Sequence, residues 1–153
     1  SDLDQMWQAF DPRDVMQSTG LGTMGCALPL VIGRKMAEPN RPVAAFLGDA
    51  CLEMIIGELA TARDRKLPVI LIVFVDESLA LIELKQRAMQ LPNLGVDFKI
   101  TDFPAVAEAY GGVGVTADSR DAMKKALKDA LAEKERFTLI ACPIPRQNYD
   151  GRI

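Results

Sequence analysis

The chain has 153 residues, of which 49% are hydrophobic and 25% charged, enough for one domain that buries its own core. Its net charge is −3 and its pI is near 5.0, which argues against a broad nucleic-acid footprint. It has no histidine, which excludes Ser-His-Asp triads, Cys-His dyads, HExxH zinc sites and haem held by His.

In chain order, Leu3, Met6, Trp7 and Phe10 stand at helical spacing and predict a short helix or packed arm, with Trp7 as a packing anchor. Asp11-Pro12 breaks it, and Val15 to Ser18 reads as a short strand. Ser18 to Thr23 is a glycine-rich turn. Met24 to Ala37 reads as a buried helix, with Pro29 at a position that can kink it. Val43 to Leu47 is an apolar run of strand length, as expected of a strand covered on both faces. The apolar spacing of Leu52, Ile55, Ile56, Leu59 and Ala60 predicts one helix over Cys51 to Lys66.

Val69 to Val75 is the strongest strand, and Leu79 to Gln90 reads as a helix. Leu91 to Thr101 is a loop with Pro92, Asn93 and Gly95. Asp102 is an N-cap for a helix from Phe103 to Tyr110 that Gly111-Gly112 stops. Val113 to Val115 is a short strand. Asp118 or Ser119 caps a helix to about Glu135 whose lysines form a solvated face. Phe137 to Cys142 is the last strand, and the tail from Pro143 is irregular. Met16, Met36, Met54 and Met123 read as core fillers. Strands and helices in alternation predict an α/β domain: three layers, a mainly parallel sheet with helices on both faces.

The longest apolar run, Leu67 to Val75, is too short to span a bilayer, and no signal peptide is visible. Cys26, Cys51 and Cys142 are far apart with no CxxC, as expected of free thiols in a reducing cytoplasm. Cys51 reads as a small helix-start residue. The first residue is Ser1 rather than Met, as expected of a processed or partial chain.

In an open parallel sheet, ligands bind beyond the carboxyl ends of the strands. Gly48-Asp49-Ala50 and Asp76-Glu77-Ser78 follow two successive strands and so share one edge. Asp49 and Asp76 together have the chemistry of a hard divalent cation site, and Mg²⁺ held this way usually keeps a phosphate as a further ligand. Asp49 also opens a helix, whose first N–H groups favour an anion. Asp after a strand is equally a common N-cap, so spacing alone leaves both readings open. The turn at Gly20–Gly22 is weak evidence of phosphate binding.

These pieces in combination resemble the thiamine diphosphate enzymes. Gly48-Asp49-Ala50 followed by Asp76-Glu77-Ser78 is similar to the Gly-Asp-Gly … Asn-Asn motif of that family, at the family's interval between its side-chain metal ligands. Gly20-Leu21-Gly22-Thr23-Met24-Gly25 with Leu28-Pro29 looks like the acetolactate synthase segment. Gly57 to Ala62 with Leu67-Pro68-Val69, then Gly95-Val96-Asp97-Phe98, Asp102-Phe103 and Ala107 to Gly111, extend the likeness over nearly the whole chain.

The resemblance implies a single diphosphate-binding domain over residues 1–153, without the pyrimidine-binding domain. Thiamine diphosphate and Mg²⁺ are the implied cofactors, with Asp49 and Asp76 binding the metal through side chains and Ser78 through its carbonyl. It further implies diphosphate contacts at the backbone of Ala50 and Cys51, a Gly22 carbonyl that accepts from the cofactor's 4'-amino group, and a Met24 that supports the bent cofactor. Thr23, Leu79, Ala80 and Leu81 are implied to line the same site.

The implied reaction is decarboxylation of a small 2-oxo acid such as pyruvate, then ligation of the carbanion to an acceptor. The activating Glu is implied to come from a pyrimidine-binding domain or subunit, so the chain alone is expected to be inactive and to work in a homo-oligomer. No catalytic residue is assigned within the chain; Glu53 and Glu58 read as structural or solvated, and Tyr149 and Arg152 as a cover for the cofactor.

Three departures stand out. Ala50 takes the place of the motif's third residue, Gly, a change that the resemblance to acetolactate synthases accommodates. Val75-Asp76 replaces Asn-Asn, which keeps an oxygen ligand and adds a negative charge. Lys85 stands where biosynthetic acetolactate synthases have a substrate-selecting Trp. The alternatives are a simple 2-oxo acid decarboxylase module and a non-catalytic assembly domain that keeps the fold. A generic nucleotide-binding domain lacks support, since neither GxGxxG nor GxxxxGK[ST] occurs. Neither nucleic acid nor membrane is expected as a partner.

Overall fold

The computed structural model describes residues 8–12, 14–18, 20–99 and 101–147. Four parallel strands form one sheet: β1 (Ala44–Gly48), β2 (Ile70–Val75), β3 (Val113–Thr116) and β4 (Thr138–Pro143), in the order β1-β2-β4-β3. Between them run α1 (Ala27–Ala37), α2 (Asp49–Glu53), a 3-10 turn at Ile56–Glu58, α3 (Leu59–Asp64), α4 (Ala80–Ala88), α5 (Phe103–Ala109) and α6 (Arg120–Ala132).

Both faces of the sheet are covered, which is why β2 reads as an unbroken apolar run. Leu71, Val73 and Val75 point to one layer with Leu28, Leu52, Leu59 and Phe103. Ile70 and Ile72 point to the other, against Ala126 and Ala130 of α6. The three-layer α/β architecture expected from the alternating pattern is therefore present, and the two central strands are both nearly fully buried.

Local signals explain most element ends. Asp102 accepts from the Ala105 N–H at 3.0 Å and caps α5. Ser119, not Asp118, caps α6 by accepting from the Ala122 N–H at 3.2 Å. Pro29 introduces no kink, because α1 starts only at Ala27 and Pro29 lies in its first turn, where an N–H has no intrahelical partner.

Other expectations are corrected. Val15 to Ser18 forms no strand: among the described residues the segment pairs with no other strand, and Val15 and Met16 are exposed. The helix expected over Cys51 to Lys66 is three pieces, because Ile55 leaves helical conformation (φ −135°) and packs beside Gly25. Met16, Met36 and Met54 are exposed rather than core residues, whereas Met123, on α6, packs against the cluster between that helix and the sheet. On α1 the inward position falls to Lys35, whose Nζ donates to the Arg41 carbonyl at 2.8 Å, which turns Met36 outward. The first helix and Trp7 lie outside the described residues, except that Phe10 is exposed and in no helix. Tyr149 and Arg152 also lie outside them. Among the described residues, no helix is long and apolar enough to cross a membrane.

The end of α6 carries a pH-dependent contact. Glu133 accepts from the Lys134 N–H at 2.9 Å and from Arg136 Nη2 at 2.7 Å. The Lys134 N–H, then the Arg136 hydrogen bonds and the Glu135 N–H, bring its carboxyl down to about 2. The folded value lies below the ordinary 4.5, so the unfolded chain holds more protons between the two. The contribution is complete above the upper value and is lost as pH falls through the lower one. Glu133→Gln is expected to lower Tm at pH 7, with the difference closing as pH falls to about 2; melting curves at both ends check it. An equal deficit at both pH values would contradict the assignment.

Candidate functional site

The carboxyl ends of β1 and β2 lie side by side, and the residues that follow them meet. Asp49, the first residue of α2, is 3% exposed, and Asp76, directly after β2, is 9% exposed. Asp49 Oδ2 accepts from the Asp76 N–H at 3.1 Å and from the Glu77 N–H at 2.8 Å. Asp49 Oδ1 accepts from the Ala50 N–H at 2.7 Å. One carboxylate thus ties the start of α2 to the loop after β2. It also engages the Ala50 N–H, which the resemblance implied as a diphosphate contact.

The loop then folds back on itself. Glu77 takes a left-handed conformation (φ 58°), uncommon for a residue with a side chain. Asp76 Oδ1 accepts from the Ser78 N–H at 3.2 Å, and Ser78 is buried. Burial first, and the negative charge of Asp49 second, push the Asp76 carboxyl up from its ordinary value. Among the described residues neither Asp49 nor Asp76 forms an ion pair, and no third acidic, Cys or His side chain joins them. Two buried carboxylates side by side are costly unless something cationic joins them, and the nearby Arg146 guanidinium offsets only part of that cost at Asp76.

The remaining expected site residues lie around this pair to different degrees. Cys51 is in α2 and half-buried. Leu79 donates its N–H to the Val96 carbonyl at 2.8 Å, and Ala80 and Leu81 open α4, with Leu81 exposed. Gly22, Thr23 and Met24 are exposed in the glycine-rich turn, with Gly22 at φ 61°. That turn is tied to the α2 segment through Gly25: a Cβ there would lie 3.1 Å from Ile55 Cγ2 and 3.7 Å from the Cys51 carbonyl oxygen. No hydrogen bond among the described residues joins Gly22, Thr23 or Met24 to the carboxylate pair. Glu58 is exposed and accepts from the Thr61 hydroxyl, and Glu53 accepts from that of Thr101, which fits structural roles.

Two residues at this edge were not picked out by sequence. Arg146, in the tail read as irregular, donates from Nε to the Asp76 carbonyl at 2.9 Å and from Nη2 to the Glu77 carbonyl at 2.5 Å. Asp97 accepts from the Ser78 hydroxyl at 3.4 Å and forms a bridge with its backbone. The Gly95-Val96-Asp97-Phe98 likeness marked the second of these as a segment without giving it a role. Nothing in the sequence marked Arg146.

Comparison with known proteins decides the family. The family described as "Thiamine pyrophosphate enzyme, C-terminal TPP binding domain" matches residues 2–142. The chain belongs to this family. It is 33% identical over 138 residues to the acetolactate synthase isozyme 3 large subunit of Escherichia coli K12, covering 88% of this chain and 24% of that protein.

Among solved structures it is similar to benzoylformate decarboxylase from Polynucleobacter necessarius (TM-score 0.73, 28% identity, 83% of this chain and 25% of that one). It is also similar to the thiamine diphosphate-dependent 4-hydroxybenzoylformate decarboxylase of Rhodococcus jostii RHA1 (TM-score 0.75, 28% identity, 81% of this chain and 24% of that one). The domain spans about a quarter of the length of these relatives.

Proposed function

We propose that this domain binds thiamine diphosphate through Mg²⁺ in an enzyme that decarboxylates a 2-oxo acid such as pyruvate and joins the remaining carbons to an acceptor. The observation that carries the reading is the pair of buried carboxylates, Asp49 and Asp76, tied together at the carboxyl edge of the sheet with no ion pair to either among the described residues. Their chemistry fits Mg²⁺: all donors are oxygens, and the protein set is too small to fill an octahedral shell. Phosphate and water oxygens would complete it. Asp49 and Asp76 would ligate by side chain and Ser78 by its carbonyl, while Gly22, Thr23, Met24, Ala50, Cys51, Leu79, Ala80 and Leu81 would line the cofactor.

Thiamine diphosphate supplies an electron sink for the carbon that loses carbon dioxide. This domain's own part is to bind and orient. Asp49 holds the two loops in register, and the left-handed turn at Glu77 presents Asp76 and Ser78 along one edge. The glutamate that activates the cofactor would come from a pyrimidine-binding domain or subunit, in a homo-oligomeric assembly. The likeness to two benzoylformate-type decarboxylases favours a second reading, release of the decarboxylated product without ligation. Product analysis of the intact enzyme separates the two.

Calorimetric titration with thiamine diphosphate, with and without Mg²⁺, tests the reading. The expected result is saturable, Mg²⁺-dependent binding and no turnover of pyruvate by this domain alone. Binding that persists with the metal chelated would contradict the metal role. Acetolactate or carbon dioxide from the pure domain would contradict the missing-glutamate role.

A further inference from the structure

The loop that carries Asp76 and Ser78 is gripped from its carbonyl side by one guanidinium. The Ile144 N–H donates to the Val75 carbonyl at 2.9 Å, which brings the tail beyond β4 alongside the end of β2. Arg146 follows two residues later. Its Nε and Nη2 donate to two successive carbonyls, those of Asp76 and Glu77, and its Nη1 lies 3.4 Å from Asp97 Oδ1. Each of the three nitrogens has a partner, so this arginine is spent on the loop rather than offered to a substrate carboxylate. Asp97 is itself held by the Asn93 side-chain amide at 2.9 Å and by the Ser78 hydroxyl at 3.4 Å.

The geometry matters because the loop is intrinsically unfavourable. Glu77 sits at φ 58°, a conformation that disfavours a residue with a Cβ. Two carbonyls on either side of that turn must be held at fixed separation, which suits a planar fork and not a single ammonium point charge. The contact also places a positive charge behind a loop whose front carries Asp76, with the Asp49 carboxylate against it.

We propose that Arg146 is a positioning residue of the candidate site: its fork holds the left-handed turn at Glu77, and through it the orientation of Asp76 and Ser78 towards a Mg²⁺–diphosphate ligand. This rests on the function proposed above. The test uses Arg146→Gln and Arg146→Lys in the intact protein, with two readouts. Hydrogen exchange of residues 76–82, measured without any ligand, reports the turn. Calorimetry with thiamine diphosphate and Mg²⁺ reports the site.

Arg146 is exposed and follows the last strand, so both variants are expected to fold. Both should exchange faster over this segment and bind roughly 10- to 100-fold more weakly, as loss of a partner behind a metal ligand usually does. Unchanged exchange, unchanged affinity in the Gln variant, or full recovery of both by Lys would each overturn the proposal. If the wild-type protein binds no thiamine diphosphate, the functional reading fails, and the ligand-free exchange still decides whether Arg146 holds the turn.

Discussion

Asp49→Ala is expected to abolish Mg²⁺-dependent binding of thiamine diphosphate. The carboxylate carries half of the negative charge of the pair, and it also builds the site. Its removal strips acceptors from the N–H groups of Ala50, Asp76 and Glu77, two of them on buried residues. A buried donor left unsatisfied costs about 1–3 kcal/mol, so the alanine variant should also melt earlier. Asp49→Asn separates the two effects. An amide offers one oxygen where the carboxylate offers two, so it can satisfy the Ala50 side or the Asp76–Glu77 side but not both. It keeps the volume and loses the charge. The asparagine variant should therefore stay folded by circular dichroism and bind far more weakly than wild type. Wild-type affinity in a folded Asp49→Ala variant would remove Asp49 from the site.

That pairing was legible in the sequence because parallel topology does most of the work. Once two successive apolar runs are read as neighbouring parallel strands, the residues after Gly48 and Val75 must lie on one edge, and β1 and β2 do pair in parallel from Ala44–Ile70 to Gly48–Phe74. The strands were legible because burial on both faces leaves no polar position in β2.

What could not be read is what depends on contacts distant in sequence. The break after Met54 follows from Gly25 packing against Ile55, and helical spacing of Leu52, Ile55, Ile56 and Leu59 continues smoothly across it. Arg146 was invisible for the same reason: its partners, Asp76 and Glu77, lie about half the chain away, and a lone arginine in a tail has no periodicity to betray it. The carboxylates were legible as chemistry, whereas the scaffold that aims them was not.

Gly114→Ala is expected to be the most destabilising glycine-to-alanine change among the described residues. A Cβ at Gly114, in the edge strand β3, would fall 2.2 Å from the Pro104 carbonyl oxygen and 2.5 Å from its Cα. Both obstacles are backbone, so no rotamer change relieves them. Relief requires α5, with its fully buried Phe103 and Ala107, to move away from the sheet. Overpacking of this kind costs about 3 kcal/mol or more. For a domain of this size that is a fall in Tm of roughly 6–12 °C.

Gly33 supplies the contrast. It lies in the middle of α1, and a Cβ there meets nothing within 4 Å among the described residues. Gly33→Ala adds the same methyl group and should raise stability by about 1 kcal/mol, since alanine loses less backbone entropy in a helix. Thermal melts of the two variants beside wild type should therefore move in opposite directions. A Gly114→Ala protein that melts with wild type would mean that α5 does not press its backbone onto β3, and the packing described for that edge would be wrong.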